Sequence, residues 1–226
     1  MKILMLILLI IPAIAMADLP HWKTREAIIS LQAQNTGLHK MLLLGDSNTE
    51  AYWWNINSGC TTINAGFGGA RIRDIANMAD EIARVTQPKY VHLMIGTNNI
   101  NLDHNSSEWA SMQSDLQTIV NIFIAYGSKV ILWPIPPFAS NFSTDLTARS
   151  NINKIIQNVA YASNYQKNSF LDWWWPNQIT ATDGYATGTS LQTDGVHLSA
   201  SSQLSRYYRF AAWTKYIVAL TGVNCN

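Results

Sequence analysis

The chain has 226 residues, 48% of them hydrophobic and 13% charged, which suits one globular domain with a sizeable core and excludes a disordered or fibrous protein. Lysine and arginine number 15 against 14 acidic residues, and no basic cluster is visible, so nucleic acid is excluded as a partner for want of a basic footprint. Arg71 and Arg73 stand close together, but they bracket a helix start and read as a solvated helix face.

At the N-terminus, Lys2 precedes the apolar run Ile3 to Ile11, and Ala15-Met16-Ala17 fits an A-x-A cleavage pattern. Residues 1–17 therefore read as a signal peptide, with a single mature domain over 18–226 that is secreted or periplasmic. The apolar run is short for a membrane span, so no stable anchor is expected after cleavage. Loss of Lys2 leaves 14 basic against 14 acidic side chains.

A short helix over Thr24 to Leu31 leads through the Asn35-Thr36-Gly37 turn into a first strand beginning at Met41. The second strand is Thr61 to Ala65, and the helix after it carries Ile72, Ile75, Ala79 and Ile82 on one face until Pro88 stops it. Tyr90 to Ile95, nearly all apolar, suits a central parallel strand buried on both faces. A helix starting near Ser106 or Ser107 places Trp109, Met112, Leu116, Ile119 and Phe123 at helical spacing before Gly127. Lys129 to Trp133 is the fourth strand, closed by Pro134-Ile135-Pro136-Pro137. Thr147 to Ser163 is a helix with Ile152, Ile155, Ile156 and Val159 inward. Ser169 to Trp173 is a short fifth strand, and Ser199 to Leu220 a final helix. Such alternation predicts an α/β/α sandwich on a parallel sheet, because each parallel pair needs a crossover.

The chemistry concentrates where strands end. Met41 to Leu44 runs into Gly45-Asp46-Ser47, which can hold the Ser47 hydroxyl over the sheet edge as a nucleophile. A serine hydroxyl needs a base, an acid that orients the base, and donors for an oxyanion. Asp194-Gly195-Val196-His197 puts a carboxylate and an imidazole three residues apart, and His197 is the histidine taken as the base. The loops Asn64-Ala65-Gly66-Phe67-Gly68-Gly69 and Gly96-Thr97-Asn98-Asn99, each after an apolar run, offer a backbone N–H and a side-chain amide. Ser47 also suits the N-cap of a following helix, a role compatible with nucleophilicity. Asp46 reads as a turn stabiliser.

In these four blocks, GDSNT, NAGFGGA, GTNN and DGVHLS in that order, the chain resembles the SGNH hydrolases, or GDSL esterase and lipase family. The GTNN form, with Asn99 where many members carry aspartate, is similar to the platelet-activating-factor acetylhydrolase branch. The resemblance implies a flavodoxin-like, five-stranded parallel sheet of order 2-1-3-4-5. It also implies a Ser47, His197 and Asp194 triad and an oxyanion hole from the Ser47 N–H, Gly69 and Asn98. Gly68, in the same loop, is the alternative donor. With the strands in that order, ligands belong beyond their carboxyl ends near the switch point.

The expected function is an exported serine esterase for short acyl esters, acetyl above all, on a small molecule or carbohydrate, with no cofactor. A lipase, lysophospholipase or thioesterase with a longer acyl groove is the alternative enzyme, and a non-catalytic carbohydrate-binding protein is the alternative of another class. Tyr52-Trp53-Trp54 and Trp173-Trp174-Trp175 read first as core and second as a stacking wall for sugar or acyl groups. His92 reads as a core histidine and His104 as a loop residue, and no His, Cys, Asp and Glu cluster has metal spacing. Cys60 and Cys225, the only cysteines, are expected to pair in an oxidising compartment.

Overall fold

Side chains that alternate between two apolar faces set the architecture. The computed structural model describes residues 19–35, 40–51, 61–162, 181–182, 185–186 and 191–199. Strands β1 (Lys40–Gly45), β2 (Thr61–Gly66), β3 (Tyr90–Met94) and β4 (Lys129–Leu132) form a sheet of order β2-β1-β3-β4. Every neighbouring pair is parallel, with Leu44 opposite Ala65 on one side and Leu93 on the other. This is the expected order for the first four strands. The expected fifth strand at 169–173 lies outside the described residues, as do residues 1–17, both cysteines, both tryptophan clusters and 200–220.

Leu42, Leu44, Ile63, Ala65, Val91, Leu93, Val130 and Leu132 point to one face and join a single core with the helices. Met41, Leu43, Tyr90, His92, Met94 and Ile131 occupy the alternate positions and are at most 3% exposed. Both faces of the sheet are therefore covered, as parallel sheets require.

On the first face, α1 (Leu19–Asn35) packs beside α3 (Ile72–Thr86), α3 beside α4 (Ser107–Ala125), and α4 beside α5 (Leu146–Ala162). Their stripes are the expected ones: Ile72, Ile75, Ala79 and Ile82 on α3, Met112, Leu116, Ile119 and Phe123 on α4, and Ile152, Ile156 and Val159 on α5. Ile155 is only partly buried. Local chemistry sets the ends. Ser106 caps α4 by accepting from the Trp109 N–H at 3.1 Å, and Gln87 ends α3 in the left-handed region at φ 43°.

Two expectations are corrected. Helix α1 extends well beyond Thr24 to Leu31 at both ends, and at its start it tolerates Pro20, because in the first turn a missing N–H costs little. A small antiparallel pair, β5 (Ala181–Thr182) and β6 (Tyr185–Ala186), was not expected. The intervening Asp183-Gly184 is a hairpin dipeptide that the sequence does contain.

Candidate active site

Strand β1 delivers Ser47 to the carboxyl edge of the sheet at the start of a one-turn helix, α2 (Ser47–Glu50). The cap is Asp46, fully buried and extended, whose side chain accepts from the Asn48 N–H at 3.0 Å. Its carbonyl accepts from the Thr49 and Glu50 N–H groups at 3.0 and 2.9 Å. Ser47 is therefore the first helical residue and not the N-cap, because the aspartate before it already satisfies the turn. Its side chain is left partly exposed at the helix start, where developing negative charge is favoured.

The segment 191–199 forms a closed loop. Leu191 and Leu198 make an antiparallel bridge, the Gln192 N–H donates to the His197 carbonyl at 2.8 Å, and the Ala139 N–H reaches the Gly195 carbonyl at 2.8 Å. Within it, one Asp194 oxygen accepts from the Val196 and His197 N–H groups, both at 3.0 Å, and the other lies 2.6 Å from His197 Nδ1. Burial alone pushes the Asp194 carboxyl up, but the His197 contact and the two backbone N–H groups outweigh it and hold the group below the usual aspartate value. As an anion, Asp194 is suited to accept a hydrogen bond from Nδ1–H, the tautomer that leaves Nε2 as the ring nitrogen with a lone pair.

The Asn48 side chain joins this loop to the Ser47 turn. Its Nδ2 donates to the Val196 carbonyl at 3.3 Å, and its Oδ1 accepts from the Leu198 N–H at 2.9 Å.

The glycine loop after β2 lies against α2 and α1. A Cβ on Gly66 would collide with the Glu50 backbone, so this close approach admits only glycine. Asn64 closes the contact by donating to the Thr49 carbonyl at 2.9 Å while accepting from the Gly66 N–H at 2.9 Å. The Gly68 N–H is taken by a Glu50 oxygen at 2.5 Å, and the Gly68 carbonyl accepts from Trp22 Nε1 at 2.9 Å. Between the two loop glycines, Gly68 is thus engaged on both sides. Gly69, exposed and at φ 77°, has the N–H that faces away from the Trp22 contact, since C=O and N–H of a trans peptide point in opposite directions.

Asn98 sits in a 3₁₀ turn after β3 (Thr97–Asn99) and donates one amide hydrogen to the Ala70 carbonyl at 3.0 Å. The other hydrogen of that amide is a second donor on the same nitrogen. Asn99 is fully buried and its Oδ1 accepts from the Ile72 N–H at 3.1 Å, so the two asparagines grip the chain just beyond Gly69. Asn99 thus does structural work, fastening the start of α3.

Other singled-out residues have ordinary partners. Trp133 Nε1 donates to His92 Nδ1 at 3.0 Å in the core, and exposed His104 stacks on Trp109 and lies 3.2 Å from Asp145. Arg71 and Arg73 pair with Glu108 and Asp115 of α4 at 3.3 and 3.2 Å. Asn48, Glu50, Asn64 and Trp22 escaped the sequence reading. The first three lie inside or beside the quoted blocks, so position was their only signal, and Trp22 had none.

Residues 43–203 match the model of the GDSL-like lipase/acylhydrolase family. No curated protein matches the chain. Among solved structures, a lipase/acylhydrolase from Enterococcus faecalis is 24% identical, with a TM-score of 0.61 over 80% of this chain and 95% of that one. A protein from Streptococcus pneumonia, provisionally described as a platelet activating factor, is 19% identical, with a TM-score of 0.66 over 85% and 93%. An acetyl xylan esterase from Geobacillus stearothermophilus, a point variant, is 17% identical, with a TM-score of 0.60 over 79% and 95%. At these identities the structural likenesses establish the fold.

Proposed function

The chain belongs to the GDSL-like lipase/acylhydrolase family and is a carboxylic ester hydrolase, and from that premise we propose that it is an exported serine esterase removing short acyl groups, acetyl above all, from alcohols such as carbohydrate hydroxyls. Ser47 is the nucleophile, His197 the base, Asp194 its orienting acid, and the Ser47 and Gly69 N–H groups with the Asn98 amide form the oxyanion hole. The observation that carries this reading is the 2.6 Å Asp194–His197 contact on a loop hydrogen-bonded to the residue after Ser47.

In the first step Ser47 Oγ attacks the ester carbonyl carbon while His197 Nε2 takes the hydroxyl proton. The carbonyl oxygen becomes an oxyanion facing Gly69 and Asn98. Collapse breaks the bond to the leaving alcohol, which receives the proton from His197, and the acyl group stays on Ser47. Water then attacks the acyl carbon, gives its proton to His197, and the acid leaves as Ser47 recovers its hydrogen. The Ala70 carbonyl supports this scheme by using one Asn98 hydrogen, which pre-aims the other before charge develops.

Carbohydrate as the leaving alcohol draws support from the acetyl xylan esterase among the structural neighbours, and export from the leader-like residues 1–17. Among the described residues, no helix is long and apolar enough to cross a membrane. The test is an ester series from two to sixteen acyl carbons, with Ser47→Ala as the blank and Asn98→Ala alongside. Turnover should be highest at two to four carbons, vanish in Ser47→Ala, and fall about 100-fold or more in Asn98→Ala. A maximum above eight carbons would replace the short-acyl reading with a lipase, and an active Ser47→Ala protein would remove the mechanism.

A further inference from the structure

We propose that Asn48 is a positioning residue that sets the His197 imidazole against Ser47, an inference that rests on the triad assignment above. Its two hydrogen bonds, to the Val196 carbonyl at 3.3 Å and from the Leu198 N–H at 2.9 Å, fall on the residues immediately before and after His197. One planar amide therefore straddles the base and ties its backbone to the residue next to the nucleophile. Asn48 is fully buried, so the bond from the Leu198 N–H is shielded from bulk water, and the one to the Val196 carbonyl is part-buried.

The constraint differs in kind from that of Asp194. The carboxylate lies three residues from His197 on the same loop, so it selects the tautomer and turns the ring but cannot say where the loop sits. Further anchors of that loop, from the Ala139 N–H to the Gly195 carbonyl at 2.8 Å and from Asn141 Nδ2 to the Thr193 carbonyl at 3.3 Å, lead to the segment after β4. Asn48 links the loop directly to the turn that carries Ser47. Its backbone N–H is in turn held by the Asp46 carboxylate at 3.0 Å, so the reference point is itself fixed.

The task also selects the side chain. Leucine, of similar size, supplies neither bond and would leave the buried Leu198 N–H without its Asn48 partner. Aspartate accepts from Leu198 but sets a second acceptor against the Val196 carbonyl. Glutamine has both groups one methylene too far out.

The experiment compares Asn48→Ala and Asn48→Gln with the wild-type protein on 4-nitrophenyl acetate, measuring kcat and KM separately, together with hydrogen exchange at the Leu198 amide. Asn48→Ala should lower kcat by about 100-fold and Asn48→Gln by about 10-fold with KM little changed, since a misplaced base loses the attack geometry and not the substrate. Exchange at Leu198 should quicken in Asn48→Ala. A core variant, Ile119→Val on α4, controls for stability: it should lower Tm without lowering kcat. Folded Asn48 variants with wild-type kcat overturn the proposal, and failure of both to fold overturns it too, making Asn48 a folding residue. His197→Ala and Ser47→Ala separate the two levels: activity retained there sinks the triad, whereas activity lost there and kept in the Asn48 variants sinks only this inference.

Discussion

Asp194 carries two loads at once, the His197 ring and the two backbone N–H groups that close its own turn. Because these contacts depress its folded-state pKa, the stability it contributes is fully present above the ordinary aspartate value of 3.8 and is lost as pH falls through the lower folded value. Thermal melts of wild type and Asp194→Asn between pH 2 and 7 should therefore differ by a constant amount above about pH 5 and converge toward the acid end. An equal gap at both ends would mean that the ionised carboxylate does not hold the loop. The Asp194 and His197 pair was legible because both chemical types and their spacing stand in one short string. Asn48 was not, because the worth of its amide depends on a segment that returns 150 residues later, and nothing local announces that return.

At the scale of elements, the periodic ones were legible and the irregular ones less so. The α3 and α4 stripes and the fully buried β3 were expected because a 3.6-residue or continuous apolar pattern records which faces are covered. Helix α1 was underestimated: it shows few core residues, Ile29 and Ala33, and spends its inward face on polar bonds to the glycine loop. Arg25 donates to the Gly66 and Asn64 carbonyls, each at 2.9 Å, and Trp22 Nε1 to the Gly68 carbonyl at 2.9 Å. The latter bond fixes the peptide whose other end is the Gly69 N–H. Replacing Trp22 by phenylalanine keeps an aromatic ring beside Phe67, which now meets the indole edge-on at 6.3 Å, but removes the donor. Trp22→Phe should then lower kcat about 10-fold with KM nearly unchanged, a fraction of what a whole oxyanion donor contributes. Unchanged kcat would show that the peptide holds its orientation without α1.

For the molecule as a whole, the strand order brings the candidate site residues to one edge of the sheet. Ser47, Gly69 and Asn98 follow the carboxyl ends of β1, β2 and β3, whereas Cys60 immediately precedes Thr61, the first residue of β2, and so belongs to the sequence entering the far edge. Cys225 follows the run 199–220, whose sequence has the pattern and length expected of a helix able to return across the sheet from the vicinity of His197. If residues 1–17 direct export as proposed above, the two cysteines reach an oxidising compartment, where pairing is the expected chemistry. A Cys60–Cys225 bridge would close a loop spanning most of the mature chain and so remove much of the freedom of its unfolded state, worth about 2–4 kcal/mol if unstrained. Denatured but unreduced protein, purified from an oxidising compartment, should therefore bind no thiol reagent, and reduction should release both thiols and lower Tm by several degrees. Stoichiometric labelling before reduction would refute the bridge.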